Sequence, residues 1–115
     1  MDVTIWHNPN CGTSRKVLAA LREAGREPHV VEYLKTAPDE ATLRAALKAA
    51  GMTAHELLRR KNTPWQELGL DRPGVTEAEI ITAMQAHPVL IERPMVITPK
   101  GAALCRPPEK LAALL

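Results

Sequence analysis

Phenylalanine is absent from this 115-residue chain, and aromatic residues together make up only 3% of it. A core must therefore come from Leu, Ala, Val and Ile. Cysteine is scarce as well, with Cys11 and Cys105 the only two. That number excludes a disulfide-stapled scaffold, and no metal-ligand spacing joins either cysteine to His29, His55 or His87. No apolar run approaches the ~20 residues of a membrane span. The formal net charge of +2 is too small to argue for nucleic acid or a membrane surface, and Arg59-Arg60-Lys61 is too short a basic run to change that. The chain opens without a basic n-region and apolar h-region, so a cytoplasmic location is expected. Neither repeats nor low-complexity tracts occur, and 115 residues at 45% apolar suit one domain over 1–115.

What is present reads as alternating elements. Val3-Thr4-Ile5-Trp6 has the β-branched and aromatic content of a strand. From Ser14 onward, Val17, Leu18 and Leu21 recur at helical spacing, with a stop at Gly25. Residues 28–34 form a second strand candidate, predicting a parallel pair with a right-handed crossover. The pattern then turns helical. Asp39 caps a helix carrying Leu43, Ala46, Leu47 and Ala50, closed by Gly51. Thr53…Glu56, Thr63…Gln66 and Thr76…Glu79 are capping boxes that predict three short helices. Val89-Leu90-Ile91 and Met95-Val96-Ile97-Thr98 read as strands, and Pro99-Lys100-Gly101 as a turn into Ala102–Cys105. Pro107 and Pro108 open a terminal helix bearing Leu111, Leu114 and Leu115. With a helical insert at about 36–88, the expected class is α/β, a thioredoxin-like βαβ–ββα core.

Cys11 lies between the first strand and the first helix, in His7-Asn8-Pro9-Asn10-Cys11-Gly12-Thr13-Ser14-Arg15. At a helix N-terminus, unpaired backbone N–H groups and the helix dipole favour negative charge. Such a position lowers a thiol pKa, and the thiolate is the reactive form. The N–H groups of Gly12, Thr13 and Ser14 offer an oxyanion a seat beside it. Because position 14 is Ser, the motif is Cys-x-x-Ser, so a mixed disulfide on Cys11 needs an external thiol for resolution.

The string His7-Asn8-Pro9-x-Cys11-Gly12-Thr13-Ser14-Arg15 resembles the active-site loop of the glutaredoxin-coupled arsenate reductases. Leu57-Leu58-Arg59, Ile91-Glu92-Arg93-Pro94 and Leu104-Cys105-Arg106-Pro107 resemble three further motifs of that family, in the same order. The resemblance implies a thioredoxin-like fold with a helical insert and a catalytic Cys11. It also implies an arginine trio at Arg59, Arg93 and Arg106, a supporting histidine at His7, and a cis Arg93–Pro94 bond facing the site. It further implies arsenate as substrate, glutathione as co-substrate, glutaredoxin as partner and no bound cofactor or metal. The terminal helix is followed by less chain than the C-terminal tail of some members.

Physical chemistry agrees with those residue types. Arsenate is a tetrahedral, multiply charged oxyanion, and arginine presents a planar fork of donors that stays protonated. Lowering a thiol pKa by ~2 units takes about 2.7 kcal/mol. A helix terminus supplies up to ~1 kcal/mol, leaving the rest to guanidinium groups.

Other readings share parts of this pattern. A phosphatase-like reductase needs Cys-x5-Arg, but Val17 occupies the arginine's place. A monothiol thiol-transfer protein shares Cys-x-x-Ser but does not need three distant arginines. A redox-responsive regulator binding RNA polymerase typically switches through Cys-x-x-Cys, which Ser14 denies it. Cys105 is expected to be a packed strand residue, with a Cys11–Cys105 pair as its alternative.

Overall fold

A computed structural model describes residues 2–115. Its four-stranded sheet has the order β2-β1-β3-β4, with β1 at Thr4–Trp6, β2 at His29–Val31, β3 at Met95–Thr98 and β4 at Gly101–Leu104. β1 and β2 run parallel, joined through helix α1 (Gly12–Glu23), while β1–β3 and β3–β4 are antiparallel. Helices α2 (Glu40–Ala50), α3 (Ala54–Leu57) and α4 (Glu77–Ala86) lie between β2 and β3. This is the expected thioredoxin-like βαβ–ββα arrangement. Among the described residues, no helix is long and apolar enough to cross a membrane.

The sheet divides the apolar side chains by the two-residue period of its strands. On one face Ile5, Val96 and Cys105 pack with Val17 and Leu21 of α1 and with Leu111 and Leu114 near the C-terminus. The other face carries Trp6, Met95 and Ala102 against Leu43 and Leu47 of α2 and Ile80, Ile81 and Met84 of α4. Trp6 is the largest of the fully buried side chains, so one indole fills space that a Phe-free sequence must otherwise fill with aliphatics.

Local signals account for most helix ends. Asp39 accepts the Thr42 N–H at 2.8 Å, and α2 closes at Gly51 with φ 64°, where Met52 N–H reaches back to the Leu47 carbonyl. Reciprocal capping boxes start α3 and α4 at Thr53 and Thr76. The Glu77 carboxylate also accepts the Ala54 N–H at 2.7 Å and pairs with His55, fastening the start of α3 to the start of α4.

Three expected elements take other forms. Thr63 starts no helix: its hydroxyl donates to the carbonyls of Arg59 and Arg60, and a single turn follows. That turn closes at Gly69 (φ 74°), where Leu70 N–H returns to the Trp65 carbonyl, and Pro73 follows before a second turn forms. Val89-Leu90-Ile91 is a 3₁₀ turn over Pro88–Leu90, whose only ladder contact is an isolated bridge from Ile91 to Leu58. Pro88 fixes φ and removes a donor, which suits the first position of a turn better than a strand. The terminal helix is a 3₁₀ helix, Pro108–Leu114.

Candidate active site

The loop after β1 is tied down at each step. The His7 N–H donates to the Val31 carbonyl at 2.8 Å, joining the exits of the two parallel strands. The Asn8 side chain accepts the Asn10 N–H at 2.9 Å, and its carbonyl accepts the Cys11 N–H at 3.0 Å. This Asx turn delivers Cys11 to the N-cap of α1 with extended dihedrals of φ −100° and ψ 121°. No side-chain cap bond is made there, so the helix leaves first-turn N–H groups open.

Cys11 is 9% exposed. Burial pushes its thiol up, but the Ser14 backbone N–H, then Arg93 and Arg106, outweigh burial and bring it from 9.0 to about 7. The Arg106 Nη1 donates to Cys11 Sγ at 3.6 Å and to the Arg93 carbonyl at 3.1 Å. Burial also works against the charge on Arg93, yet the neighbouring Cys11 sulfur holds that charge more firmly than in water. Both arginines stand beside cis prolyl bonds, Arg93–Pro94 and Arg106–Pro107. The first of these was expected. Between them, Cys105 N–H donates to the Pro94 carbonyl at 2.9 Å, which holds the two arginine-bearing segments side by side.

Sequence reasoning weighted the arginines above the helix start. In the structure, the backbone N–H of Ser14 is the leading influence that lowers the Cys11 pKa, with the guanidiniums next. A bulk dipole estimate misses this, because a single first-turn N–H acting on a thiolate can exceed the averaged field of the helix.

The Ser14 side chain does something else. Its buried hydroxyl accepts the Asn8 N–H at 3.1 Å and shares a 2.7 Å hydrogen bond with His7 Nδ1. His7 is buried, which lowers its pKa, and it therefore stands neutral at pH 7. It reaches Cys11 only through Ser14. Gly12 and Thr13 occupy the first two helical positions, exposed and half-buried respectively, with their backbone N–H groups at the helix start.

Arg59 sits apart from Cys11 in its bonding. Backbone pairing carries it alongside the Arg93 segment: Arg59 N–H donates to the Leu90 carbonyl at 2.8 Å, and Glu92 N–H to the Leu57 carbonyl at 2.9 Å. The guanidinium is mostly buried and bonds Glu92 at 2.7 Å. Glu92 lies inside a motif quoted for its arginine, and nothing in a 33-residue separation shows that its carboxylate covers Arg59. Tyr33 is a second residue that sequence reasoning passed over. Fully buried just beyond β2, it feels the charges of Arg93, Cys11, Arg59 and Glu92. A tyrosine at a strand end gives no signal beyond strand propensity.

Cys105 is fully buried and free, as is the thiol of Cys11, so the two form no disulfide. Burial pushes the Cys105 thiol up to about 11. His29, His55 and His87 are exposed. Among the described residues, no three His, Cys, Asp or Glu side chains gather as a metal site.

Together these groups form a corner holding a nucleophile ionised near neutral pH, two cations against it and a third cation nearby. Such a corner attracts an oxyanion and can attack it. Comparison with known proteins points the same way. The ArsC family model matches residues 6–114. An arsenate reductase of Rhizobium meliloti (strain 1021) is 52% identical over 115 residues, covering 100% of this chain and 82% of that protein. One from Escherichia coli is 43% identical over 114 residues, covering 99% of this chain and 81% of that protein. The solved arsenate reductase of Vibrio cholerae superposes with a TM-score of 0.95 at 36% identity, covering 100% of this chain and 98% of the other.

Proposed function

We propose, for a chain that belongs to the ArsC family, that it reduces arsenate to arsenite through a thiol–arsenate intermediate on Cys11. The observation that carries this reading is a thiol brought to about 7 with the Arg106 guanidinium 3.6 Å from its sulfur. About half of such a thiol is ionised at pH 7, against a few per cent of an ordinary one.

In the proposed cycle, Arg93 and Arg106 hold the anion against the α1 N-terminus, with Arg59 as a third cation. The N–H groups of Gly12, Thr13 and Ser14 complete the seat. The Cys11 thiolate attacks As(V), and a protonated oxygen leaves as water. Glutathione then attacks the arsenic, since Ser14 supplies no thiol, and a second oxygen leaves as water with the glutathione thiol proton. A glutaredoxin thiolate takes the glutathionyl sulfur as a mixed disulfide, and the electron pair of the broken As–S bond stays on arsenic. Hydrolysis of the remaining Cys11–As bond releases arsenite. His7 acts through Ser14, holding the loop that sets the Cys11 geometry. No resident cofactor enters the cycle. Its dependence on glutathione, a reductant of the cytosol, makes the cytoplasm the proposed compartment.

The test is an arsenate-dependent assay in which glutathione and glutaredoxin supply the reducing equivalents, run beside one with thioredoxin. Arsenite formation with the first pair alone is expected. Turnover supported equally by thioredoxin, or absent with both, contradicts the reading.

A further inference from the structure

Two buried side-chain polar atoms among the described residues lack any hydrogen-bond partner, the Tyr33 hydroxyl and Arg93 Nε. An unmet buried hydroxyl carries a desolvation cost that a phenylalanine would avoid. Both atoms belong to the same quarter of the molecule. Tyr33 leaves β2 at the carboxyl end of the parallel pair, the end from which the Cys11 loop also departs. In open α/β sheets that end is where ligands bind. The His7–Val31 hydrogen bond holds the two exits together. Within the core, Tyr33 belongs to the cluster containing Leu57 and Leu58, which precede Arg59, and Ile91 and Met95, which flank Arg93.

We propose that Tyr33 is a further oxyanion-binding residue, its hydroxyl donating a hydrogen bond to an oxygen of the anion held by Arg93 and Arg106. The inference rests on the reading of Cys11 and its arginines as the arsenate seat. Burial raises the Tyr33 pKa, so the phenol keeps its proton and remains a donor at neutral pH. Its proton stays in place throughout the reaction, and its role is binding. A neutral donor adds affinity without adding charge, and it rewards an anion whose oxygens reach the floor of the site. Arg93 Nε, the second unpartnered atom, donates to the same anion.

The test uses the full chain with Tyr33→Phe, assayed for arsenate with glutathione and glutaredoxin, and followed by thermal unfolding with and without arsenate. The arsenate KM is expected to rise about tenfold, the cost of one hydrogen bond to a charged group, with kcat changed less than about threefold. Without arsenate, the variant is expected to melt no lower than the parent, because it loses an unmet hydroxyl. The arsenate-induced rise in Tm should shrink. An unchanged KM overturns the proposal, as does a drop in Tm without arsenate, which would mean the hydroxyl serves the fold. Arg106→Ala is measured in parallel. If Arg106→Ala raises KM and Tyr33→Phe does not, the Tyr33 inference fails and the seat stands; if neither raises it, the seat itself is refuted.

Discussion

The two cysteines, one bonded by Arg106 and the other its neighbour in sequence, behave as different chemical species. Cys105 immediately precedes Arg106, whose guanidinium touches Cys11. Both thiols are buried, and burial raises the pKa of each. At Cys11 a helix-start N–H and two guanidiniums reverse that push and bring the value to about 7. Cys105 packs among Val3, Ile5, Val17 and Val96, where only Lys110 acts against burial, and rises to about 11. Donors aimed at sulfur therefore decide reactivity here. Arg106 turns its charge away from its own neighbour and toward a residue 95 positions distant.

The sharpest way to break this contrast is to exchange the sulfurs. Cys11→Ser should lower turnover by at least about a thousandfold while the fold survives, checked by steady-state assay and circular dichroism. Cys105→Ala should leave turnover within about twofold and cost about 1 kcal/mol in denaturant unfolding, for lost packing at a buried site. Comparable losses of activity in both variants would mean that the thiols share the chemistry.

Removing a donor is the next largest perturbation. Arg106→Ala should reduce kcat/KM by roughly 10–100-fold, the worth of a hydrogen bond between charged partners. It should also raise the pH at which iodoacetamide labels Cys11, whereas a variant that lost only substrate binding would label as the parent does.

A smaller effect is expected at Glu92, whose carboxylate faces Arg59 at 2.7 Å. An anion entering the site competes with that carboxylate for Arg59 and is repelled by it. Glu92→Gln keeps an acceptor and removes the charge, so the arsenate KM should fall about threefold at unchanged kcat. A rise in KM would show that the carboxylate's hold on Arg59 matters more than its repulsion.

The smallest effect is on stability as a function of pH, where the two thiols act in opposite directions. Cys11 is an acid whose folded pKa, about 7, lies below its ordinary 9.0, so the unfolded chain binds the extra proton between those values. Stability should therefore rise from pH 7 to 9, and that contribution is lost as pH falls through 7. Cys105 is raised to about 11, so it favours the unfolded chain increasingly from pH 9 to 11. Denaturant midpoints across this range should show the first slope vanish in Cys11→Ser and the second in Cys105→Ala.

Much of this was legible in residue order because it depends on local physics. The strand–loop–helix that presents Cys11, the caps at Asp39, Thr53 and Thr76 and the Gly51 stop all involve residues within a few positions of one another. The error at Thr63 has the same origin: a capping box and a proline predict a start, but its hydroxyl finds the carbonyls of Arg59 and Arg60 first. Val89-Leu90-Ile91 has strand composition without strand partners, and only Ile91 meets a bridge. Arg59 with Glu92, and Tyr33 with its unmet hydroxyl, depend on how distant segments lie together. Residue types expose no such pairing.

The most direct measurement is an ultraviolet titration of the thiolate in the Cys105→Ala background, where only Cys11 absorbs as a thiolate. A midpoint at about 7 is expected, moving up toward the ordinary thiol range when Arg93 or Arg106 is replaced by alanine. A midpoint already near ~8.5 in the parent background and unmoved by either arginine replacement would contradict the claim that these groups make Cys11 the nucleophile.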